Sequence, residues 1–472
     1  MPLLPQEFIE HMRAIHPEPT HFQKFLDICQ VPLRRSIRVN TDKITIAEFL
    51  NIAKLKDWQL TPIPWCDNGF WINDNNAAQS LGNSIEHLGG LFYIQEASSM
   101  LPPIALLAET ELNDLNTLLD MASAPGSKTT QLVNLVPKST AIIANELSAS
   151  RLKTLHANLQ RMGAYNVALT NFDASVFGLY APESFDAILL DAPCGGEGAI
   201  RKDEHALANW SEQHIDEISA LQRQLIESAF SALKVGASMV YSTCTLNERE
   251  NQQVCRFLRD KYPQQVEFTP LNNLFDGAEQ AITAEGFLHV WPETYDSEGF
   301  FVAKIKKLGS IPELQGKKAK IKPTAFKPMS ATSKKQFSQA FSQQFSIDVD
   351  QFGLLTQRDA EIWLHPLCMD QLYGKVKYQR IGIKLAEELK KGYKFEHDCY
   401  QLLKPENCFS LSLEQAQHYL QGKDITIEQK LSPGEMGVCY QNMVLGLVKP
   451  VQKKLKNKLP RVLIKDHLNF NN

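Results

Sequence analysis

Two cysteines each close a short β-like run inside a loop of small residues. One lies in Leu190-Asp191-Ala192-Pro193-Cys194-Gly195-Gly196-Glu197-Gly198, the other in Tyr241-Ser242-Thr243-Cys244-Thr245. A lone cysteine at a strand end is usually a small buried apolar residue. Two of them after adjacent parallel strands would meet at one end of a sheet, where open α/β folds bind their ligands. A thiolate is a strong nucleophile, so the chemistry on offer is covalent catalysis. Asp191 stands just before the first of these turns, placed to hold a substrate edge by hydrogen bonds.

A third loop of this kind reads Asp120-Met121-Ala122-Ser123-Ala124-Pro125-Gly126-Ser127-Lys128-Thr129 and runs into a helical pattern, Thr129 to Leu135. A small-residue turn from strand to helix lets a nucleotide-like cofactor approach the backbone and the helix amino terminus. Ala122, Ser123, Ala124, Pro125, Gly126, Ser127 and Lys128 are therefore the expected cofactor contacts. A phosphate-cradling ATPase loop would need glycine at the places taken by Ser127 and Ala122. Glu146, at the end of the following strand, is expected to accept hydrogen bonds from ribose hydroxyls, and Asp173, after the strand beyond it, to take the adenine amino group. A free thiol has a pKa of about 8.5 and needs a nearby cation to ionise at neutral pH. Lys128 is the candidate.

The elements that must position these loops alternate between β-like and helical patterns from Asn116 to Lys307, as in a parallel sheet covered by helices. Strands are predicted at Thr117 to Met121, Thr140 to Asn145, Asn166 to Thr170, Phe185 to Leu190 and Ser238 to Ser242. Each is rich in Val, Ile and Leu, as strands buried on both faces are. Ser148 to Gly163 carries Leu152, Leu155, Leu159 and Met162 at helical spacing and stops on glycine. Asn247 followed by Glu250 reads as a capping box opening a helix from Asn247 to Tyr262. Phe287 to Trp291 and Gly299 to Ile305 fit a closing antiparallel pair, giving about seven strands.

The whole chain has 472 residues, 43% of them hydrophobic and 22% charged, which implies several packed domains and neither a fibrous nor a disordered chain. Its longest apolar runs fall short of the roughly 20 residues of a membrane span, and the amino terminus lacks a secretory pattern. The nine cysteines include no Cys-x-x-Cys pair, so they read as reduced thiols with no metal assigned. Glu396-His397-Asp398-Cys399 reads as an ordinary polar turn.

The net charge of −4 conceals two basic stretches. Lys304 to Lys335 holds ten lysines against Glu313, and Lys449 to Lys465 holds seven basic residues and no acid. Either could grip a polyanion or be a solvated face. The lysine-rich, proline-punctuated stretch from Gly309 reads as a linker or an exposed arm. In the first ninety residues, the run Arg34 to Asn40 together with Trp58, Trp65, Phe70 and Trp71 suits RNA backbone and base stacking, or else a small domain with a buried aromatic cluster.

Taken together, Arg38-Val39-Asn40-Thr41, Gln95-Glu96-Ala97-Ser98-Ser99, Ala124-Pro125-Gly126-x-Lys-Thr, Asp191-Ala192-Pro193-Cys194 and Ser242-Thr243-Cys244 resemble the NOL/NOP/Sun family of RNA cytosine-5 methyltransferases from about Leu33 to Ile305. Ser123 and Ser127 depart from it, since the family often has alanine or cysteine and glycine there. The tail, with Gly392-Tyr393-Lys394-Phe395-Glu396-His397 and Leu455-Lys456-Asn457, is similar to a bacterial subgroup that acts on small-subunit ribosomal RNA and ends in a PUA-like module. The resemblance implies an α/β, doubly wound, seven-stranded class I (Rossmann-like) methyltransferase fold, with a small α+β amino-terminal domain and a β-rich PUA-like carboxy-terminal region. The corresponding divisions are 1–90, 91–308, a basic linker 309–344, and 345–472.

The resemblance further implies S-adenosylmethionine as cofactor and RNA as partner. The target would be a cytosine in the decoding region of 16S rRNA within the small subunit, cytosine 1407. A cytoplasmic monomer without metal or membrane association is expected. In the family the cysteine matching Cys244 attacks C6, and the one matching Cys194 assists proton loss from C5 and product release. The reverse order, as in DNA cytosine-5 methyltransferases, stays open on the residues alone. Amino methyltransferases would need Asn or Asp followed by Pro-Pro and an aromatic where this chain has Asp-Ala-Pro-Cys. A non-catalytic RNA-binding factor would have no reason to keep both cysteines beside the cofactor acids.

Overall fold

The computed structural model describes residues 4–74, 81–203, 205–318, 320–321 and 324–465. Near the amino terminus, β1 (Ser36–Val39), β2 (Trp58–Ile63), β3 (Cys66–Asp74) and β4 (Phe92–Ile94) form an antiparallel sheet in the order β2-β3-β1-β4. The next strands belong to the catalytic sheet: β5 (Thr117–Asp120), β6 (Ala141–Asn145), β7 (Val167–Thr170), β8 (Phe185–Asp191), β9 (Leu233–Thr243), β10 (Val266–Thr269), β11 (Leu288–Val290) and β12 (Phe300–Lys307).

β9-β8-β5-β6-β7 are parallel neighbours, each side chain of β5 and β6 is buried, and helices cover both faces. The chain leaves β5 toward β6 on one side and returns to β8 on the other, so the loops after β5 and β8 flank a topological switch point. The helix Ala149–Met162 begins on the Ser148 cap and ends on left-handed Gly163, as its sequence predicts.

The sheet has nine strands and not seven. β11 and β12 pair antiparallel as expected, but β12 alone lies against β9, and β10 adds an unforeseen edge beyond β12. The ninth strand, Tyr378–Ile381, comes from far along the chain and pairs antiparallel with β7.

The carboxy-terminal region holds two five-stranded sheets where the sequence suggests one compact module. The first contains β13 (Lys327–Pro328), β14 (Leu354–Arg358), β15 (Glu361–His365), β17 (Ile383–Glu388) and β18 (Tyr393–Phe395), with β16 (Tyr378–Ile381) diverted to the catalytic sheet. The second contains β19 (Cys408–Ser410), β20 (Ile425–Thr426), β21 (Met436–Tyr440), β22 (Met443–Val451) and β23 (Lys454–Asn457).

The expected linker 309–344 ends in a helix, Ala331–Phe345, whose Phe337, Phe341 and Phe345 recur every four residues and are buried in the first of these sheets' cores. Lys304 and Lys307, counted in the first basic stretch, are buried β12 residues whose ammonium groups donate to the carbonyls of Ala108 and Leu233. Lys322, and residues 466–472 of the expected terminal region, lie outside the described residues.

The amino-terminal aromatics take the second of their two readings. Trp65, Phe70 and Trp71 are buried, and Trp65 stacks edge-on against Trp71 and Tyr295. Arg38 is fully buried too. Its guanidinium donates to Gln95 Oε1 (2.9 Å), Asn134 Oδ1 (2.6 Å), Thr130 Oγ1 (2.8 Å) and the Ser127 carbonyl (3.3 Å), which ties β1 to the helix behind the cofactor loop. It is a structural cation and not a phosphate contact.

Phe341→Ala separates a packed helix from a linker. It is expected to lower stability to denaturant by about 3–5 kcal/mol, the cost of emptying a phenylalanine site in a core, whereas a linker side chain would change it by less than about 0.5 kcal/mol.

Candidate active site

Register brings the two cysteines together. Asp191 on β8 is paired with Ser242 on β9, and the cysteines stand three and two positions further along. The Ala192 N–H donates to the Ser242 carbonyl (2.8 Å) and the Gly198 N–H to the Cys244 carbonyl (2.9 Å), so the loops stay side by side past the strand ends. Gly198 is required at this crossing, because a Cβ there would lie 2.0 Å from the carbonyl oxygen of Gly299. The result is a contact of 3.3 Å between Cys194 Sγ and Cys244 Sγ, both half-buried.

Two buried carboxylates hold this arrangement, and the sequence reading missed both. Glu197, in the Cys194 loop, reaches across to the Cys244 loop: its Oε2 accepts from the Thr245 hydroxyl (2.7 Å) and from the Leu246 (3.0 Å) and Asn247 (2.9 Å) N–H groups. Its Oε1 accepts from the Trp210 indole at 2.7 Å. Glu250, downstream of Cys244, reaches the other way to the Gly195 N–H at 2.8 Å.

Of the expected capping box only one bond forms, Asn247 Oδ1 accepting from the Glu250 N–H at 2.9 Å; Glu250 Oε1 takes the Asn247 side-chain amide at 2.7 Å, while the Asn247 backbone N–H goes to Glu197. The pair caps no helix, however, since the helix is Gln252–Lys261 and Asn247 is held by Glu197. A single acid among glycines, Gly195-Gly196-Glu197-Gly198, was the signal available for Glu197.

Asp191 projects from the end of β8 between two partners, accepting from the Ser242 hydroxyl (2.8 Å) and from Lys128 Nζ (2.7 Å). Lys128 is thus bonded to Asp191 and not to a thiol. Burial works against its charge, yet Asp191 and the neighbouring Cys244 together hold its pKa above the ordinary lysine value. The Cys194 thiol is pushed well above the ordinary cysteine value, first by its contact with Cys244, then by burial and by the charges of Cys244 and Glu250.

The cofactor loop is shaped by Asn145, a third residue that the sequence reading passed over. Its amide donates to the Met121 (3.1 Å) and Phe172 (2.9 Å) carbonyls while its oxygen accepts from Thr170 Oγ1 (2.8 Å) and the Phe172 N–H (3.0 Å), stitching the ends of β5, β6 and β7. Ser123 lies on the same strand end through its hydroxyl and the Asn145 carbonyl (2.6 Å). The Ala124 and Pro125 carbonyls are drawn off to Arg151 (2.6 Å) and Asn158 (2.9 Å), the Ala124–Pro125 peptide being cis. Gly126 has φ of 107°, a conformation suited to glycine, and caps the helix Ser127–Leu135.

Glu146 is buried beside this loop, with the Ser148 N–H at 2.8 Å and Arg151 at 3.4 Å. Two such contacts leave a carboxylate acceptor capacity for hydroxyl groups. Asp173 is exposed at the next strand end and caps a short turn by accepting from the Ser175 N–H (2.9 Å). Small side chains at 122–127, a free helix amino terminus and acids after two successive strands fit an adenosyl cofactor.

Glu396-His397-Asp398-Cys399 is no surface turn. His397, Asp398 and Cys399 are buried, and Asp398 bridges Gln160 (2.6 Å) and Arg380 (3.1 Å) between the catalytic and carboxy-terminal sheets. Among the described residues no group of three or more His, Cys, Asp or Glu side chains could hold a metal, and no helix is long and apolar enough to cross a membrane.

Residues 107–306 match the family described as 16S rRNA methyltransferase RsmB/F, and residues 4–97 the N-terminal domain of 16S rRNA methyltransferase RsmF. Residues 326–403 match the pre-PUA domain of ribosomal RNA small subunit methyltransferase F, and residues 406–465 the methyltransferase RsmF PUA domain. A Shewanella loihica protein named ribosomal RNA small subunit methyltransferase F is 52% identical over 470 residues, covering 98% of this chain and 96% of its own. The chain belongs to the RsmF family.

A Photobacterium profundum member of the same name is 50% identical, covering 98% of both chains. Among solved structures, a methyltransferase homologue from Pyrococcus horikoshii is 31% identical with a TM-score of 0.52, covering 65% of this chain and all of its own. The chain is accordingly an RsmF-type methyltransferase with a Rossmann-like catalytic sheet, and S-adenosylmethionine is the methyl donor of that class. The RsmF pre-PUA domain begins just before the helix Ala331–Phe345, in agreement with the packing of its phenylalanines.

Asp120, beneath the cofactor loop, is fully buried, bonded to Thr129 Oγ1 (2.6 Å) and without a partner on Oδ1. Burial raises its pKa to about 7 against the bond from Thr129. The folded chain therefore takes up a proton that the unfolded chain has released, and this contribution, complete below about pH 4, is lost as pH rises toward 7. Denaturation of Asp120→Asn from pH 4.5 to 7.5 is expected to show a flatter decline of stability than the parent.

Proposed function

We propose that this enzyme methylates C5 of a cytosine in small-subunit ribosomal RNA through a covalent bond from Cys244 Sγ to C6, with Cys194 assisting release. The contact of 3.3 Å between the two sulfurs, beside the Lys128–Asp191 pair, carries the reading. Cytosine C5 is too weak a nucleophile to take a methyl group from a sulfonium directly, so a thiolate must first add to C6 and move the C5–C6 electron pair onto C5. Ala122 to Lys128, Glu146 and Asp173 would hold S-adenosylmethionine, which supplies the electrophilic methyl group.

Asp191 accepts from the exocyclic amine of cytosine and, in the covalent adduct, from the protonated N3, while Ser242 on Oδ1 and Lys128 on Oδ2 keep the carboxylate in place. Release breaks the bond between Cys244 Sγ and C6. The C5 proton leaves to water, its bonding pair re-forms the C5–C6 double bond, and the C–S pair returns to sulfur. Cys194, kept as a thiol by Cys244, burial and Glu250, donates a hydrogen bond to the departing thiolate. This proton-bearing state of Cys194 supports Cys244 as the attacking sulfur. A paired base cannot present C6, so the target is flipped or locally unpaired.

Exposed Lys449, Lys453 and Lys454 lie on the PUA-matched sheet and supply backbone grip on RNA. The names of the relatives support small-subunit ribosomal RNA as substrate, and the family resemblance points to cytosine 1407 of the decoding region as the target. Action by a single copy in the cytoplasm belongs to the same proposal.

Cys244→Ala is expected to abolish methyl transfer and adduct alike, while Cys194→Ala accumulates a protein–RNA adduct that survives a denaturing gel. An adduct with Cys244→Ala instead would reverse the two roles. Bisulfite sequencing of total RNA from cells with and without the protein is expected to lose a single 5-methylcytosine in the decoding region of 16S rRNA, and a loss confined to tRNA would refute the ribosomal substrate.

A further inference from the structure

We propose that Glu250 is the positioning residue that makes Cys194 the proton-bearing member of the thiol pair, by fixing the peptides on both sides of that cysteine and setting a carboxylate beside its sulfur. This rests on the thiol-pair reading above. Glu250 Oε2 accepts from the Gly195 N–H (2.8 Å) and from the Gln222 amide (2.9 Å), and Gln222 also donates to the Pro193 carbonyl (2.9 Å). The residue before Cys194 and the residue after it are thereby both tied to one fully buried carboxylate.

Its other oxygen takes the Asn247 amide (2.7 Å), and the Tyr241 hydroxyl donates to its backbone carbonyl (2.5 Å), so Glu250 is fixed from the Cys244 side as well. The Gly195 N–H and the Gln222 and Asn247 amides donate to the carboxylate and favour the anion, whereas burial first, and then the neighbouring Glu197 carboxylate, push its pKa up. A Cβ on Gly195 would lie 2.8 Å from Glu250 Oε1, so a side chain there would move the carboxylate aside.

A negative charge fixed at this place opposes ionisation of Cys194, and Glu250 is among the groups that raise its pKa. The Lys128 cation neighbours Cys244, and the buried acid adds to this difference on the Cys194 side. Cys194 stays a hydrogen-bond donor and Cys244 is left as the sulfur that attacks and departs. Glu250 touches neither the substrate nor the cofactor and acts through Cys194 alone.

The test uses the full chain with rRNA from cells lacking the protein, following methyl transfer in single turnover and the yield of denaturation-resistant adduct across pH. Glu250→Gln is expected to raise the adduct roughly fivefold or more. Its release rate should fall off at a pH lower by about half a unit or more, because the thiol form of Cys194 is lost earlier without the adjacent charge. Gly195→Ala, whose added Cβ displaces the carboxylate, is expected to do the same and guards against misfolding of the buried variant.

Methyl transfer that drops with no adduct and an unshifted pH profile in both variants would overturn the proposal and leave Glu250 a support of the fold. Cys194→Ala run alongside separates the two readings. An adduct there but in neither variant rejects the role of Glu250 alone, whereas none there rejects the thiol-pair reading itself.

Discussion

Two loops leaving adjacent parallel strands diverge unless something draws them together, and in this protein buried carboxylates do so. Glu197 belongs to one loop and satisfies donors of the other, while Glu250 does the reverse. Each acid, taken alone, would be a costly buried charge. Surrounded by backbone N–H groups, hydroxyls and amides, each is instead satisfied, and the geometry it fixes is the approach of two sulfurs to 3.3 Å. The Asp191–Lys128 pair, the crossing at Gly198 and the cofactor loop across the switch point are all placed relative to that interlock.

The other domains are built into the catalytic sheet and not strung from it. Arg38 joins the amino-terminal sheet to the helix that follows the cofactor loop, through acceptors that are all neutral. On the far edge, β16 continues the catalytic sheet from a strand of the carboxy-terminal region, and Asp398 binds Arg380 and Gln160 across the same seam. Leu411 and the helix residues Ala416, Tyr419 and Leu420 of the PUA-matched region share a core with Ile37, Phe49 and Phe92 of the amino-terminal domain. The amino-terminal and PUA-matched domains therefore pack on each other.

Much of the catalytic domain was legible in the sequence because local signals and global fold agree there. Runs of Val, Ile and Leu ended in small-residue loops, the helix Ala149–Met162 carried its cap and its stop, and the loops at strand ends had to gather at one edge of a parallel sheet. What misled the reading were residues whose polarity points to the surface while their partners bring them inside. Arg38, Lys304 and Lys307 are charged yet buried, because acceptors far along the chain satisfy them. The helix Ala331–Phe345 was hidden by lysines and serines on its exposed face, although its phenylalanines kept helical spacing.

The sequence by itself determined the alternation of strands and helices in the catalytic domain, the loops that close the strands and the family to which the chain belongs, since these follow from residue types, alternation and motif. Only the tertiary structure decided that Lys128 pairs with Asp191 and not with a thiol, that Asn247 and Glu250 serve the cysteine loops and cap no helix, and that a strand from the carboxy-terminal region completes the catalytic sheet. The reason is physical. A motif fixes where a side chain begins, whereas the partner it reaches depends on which distant loops the packed core brings within about 3 Å.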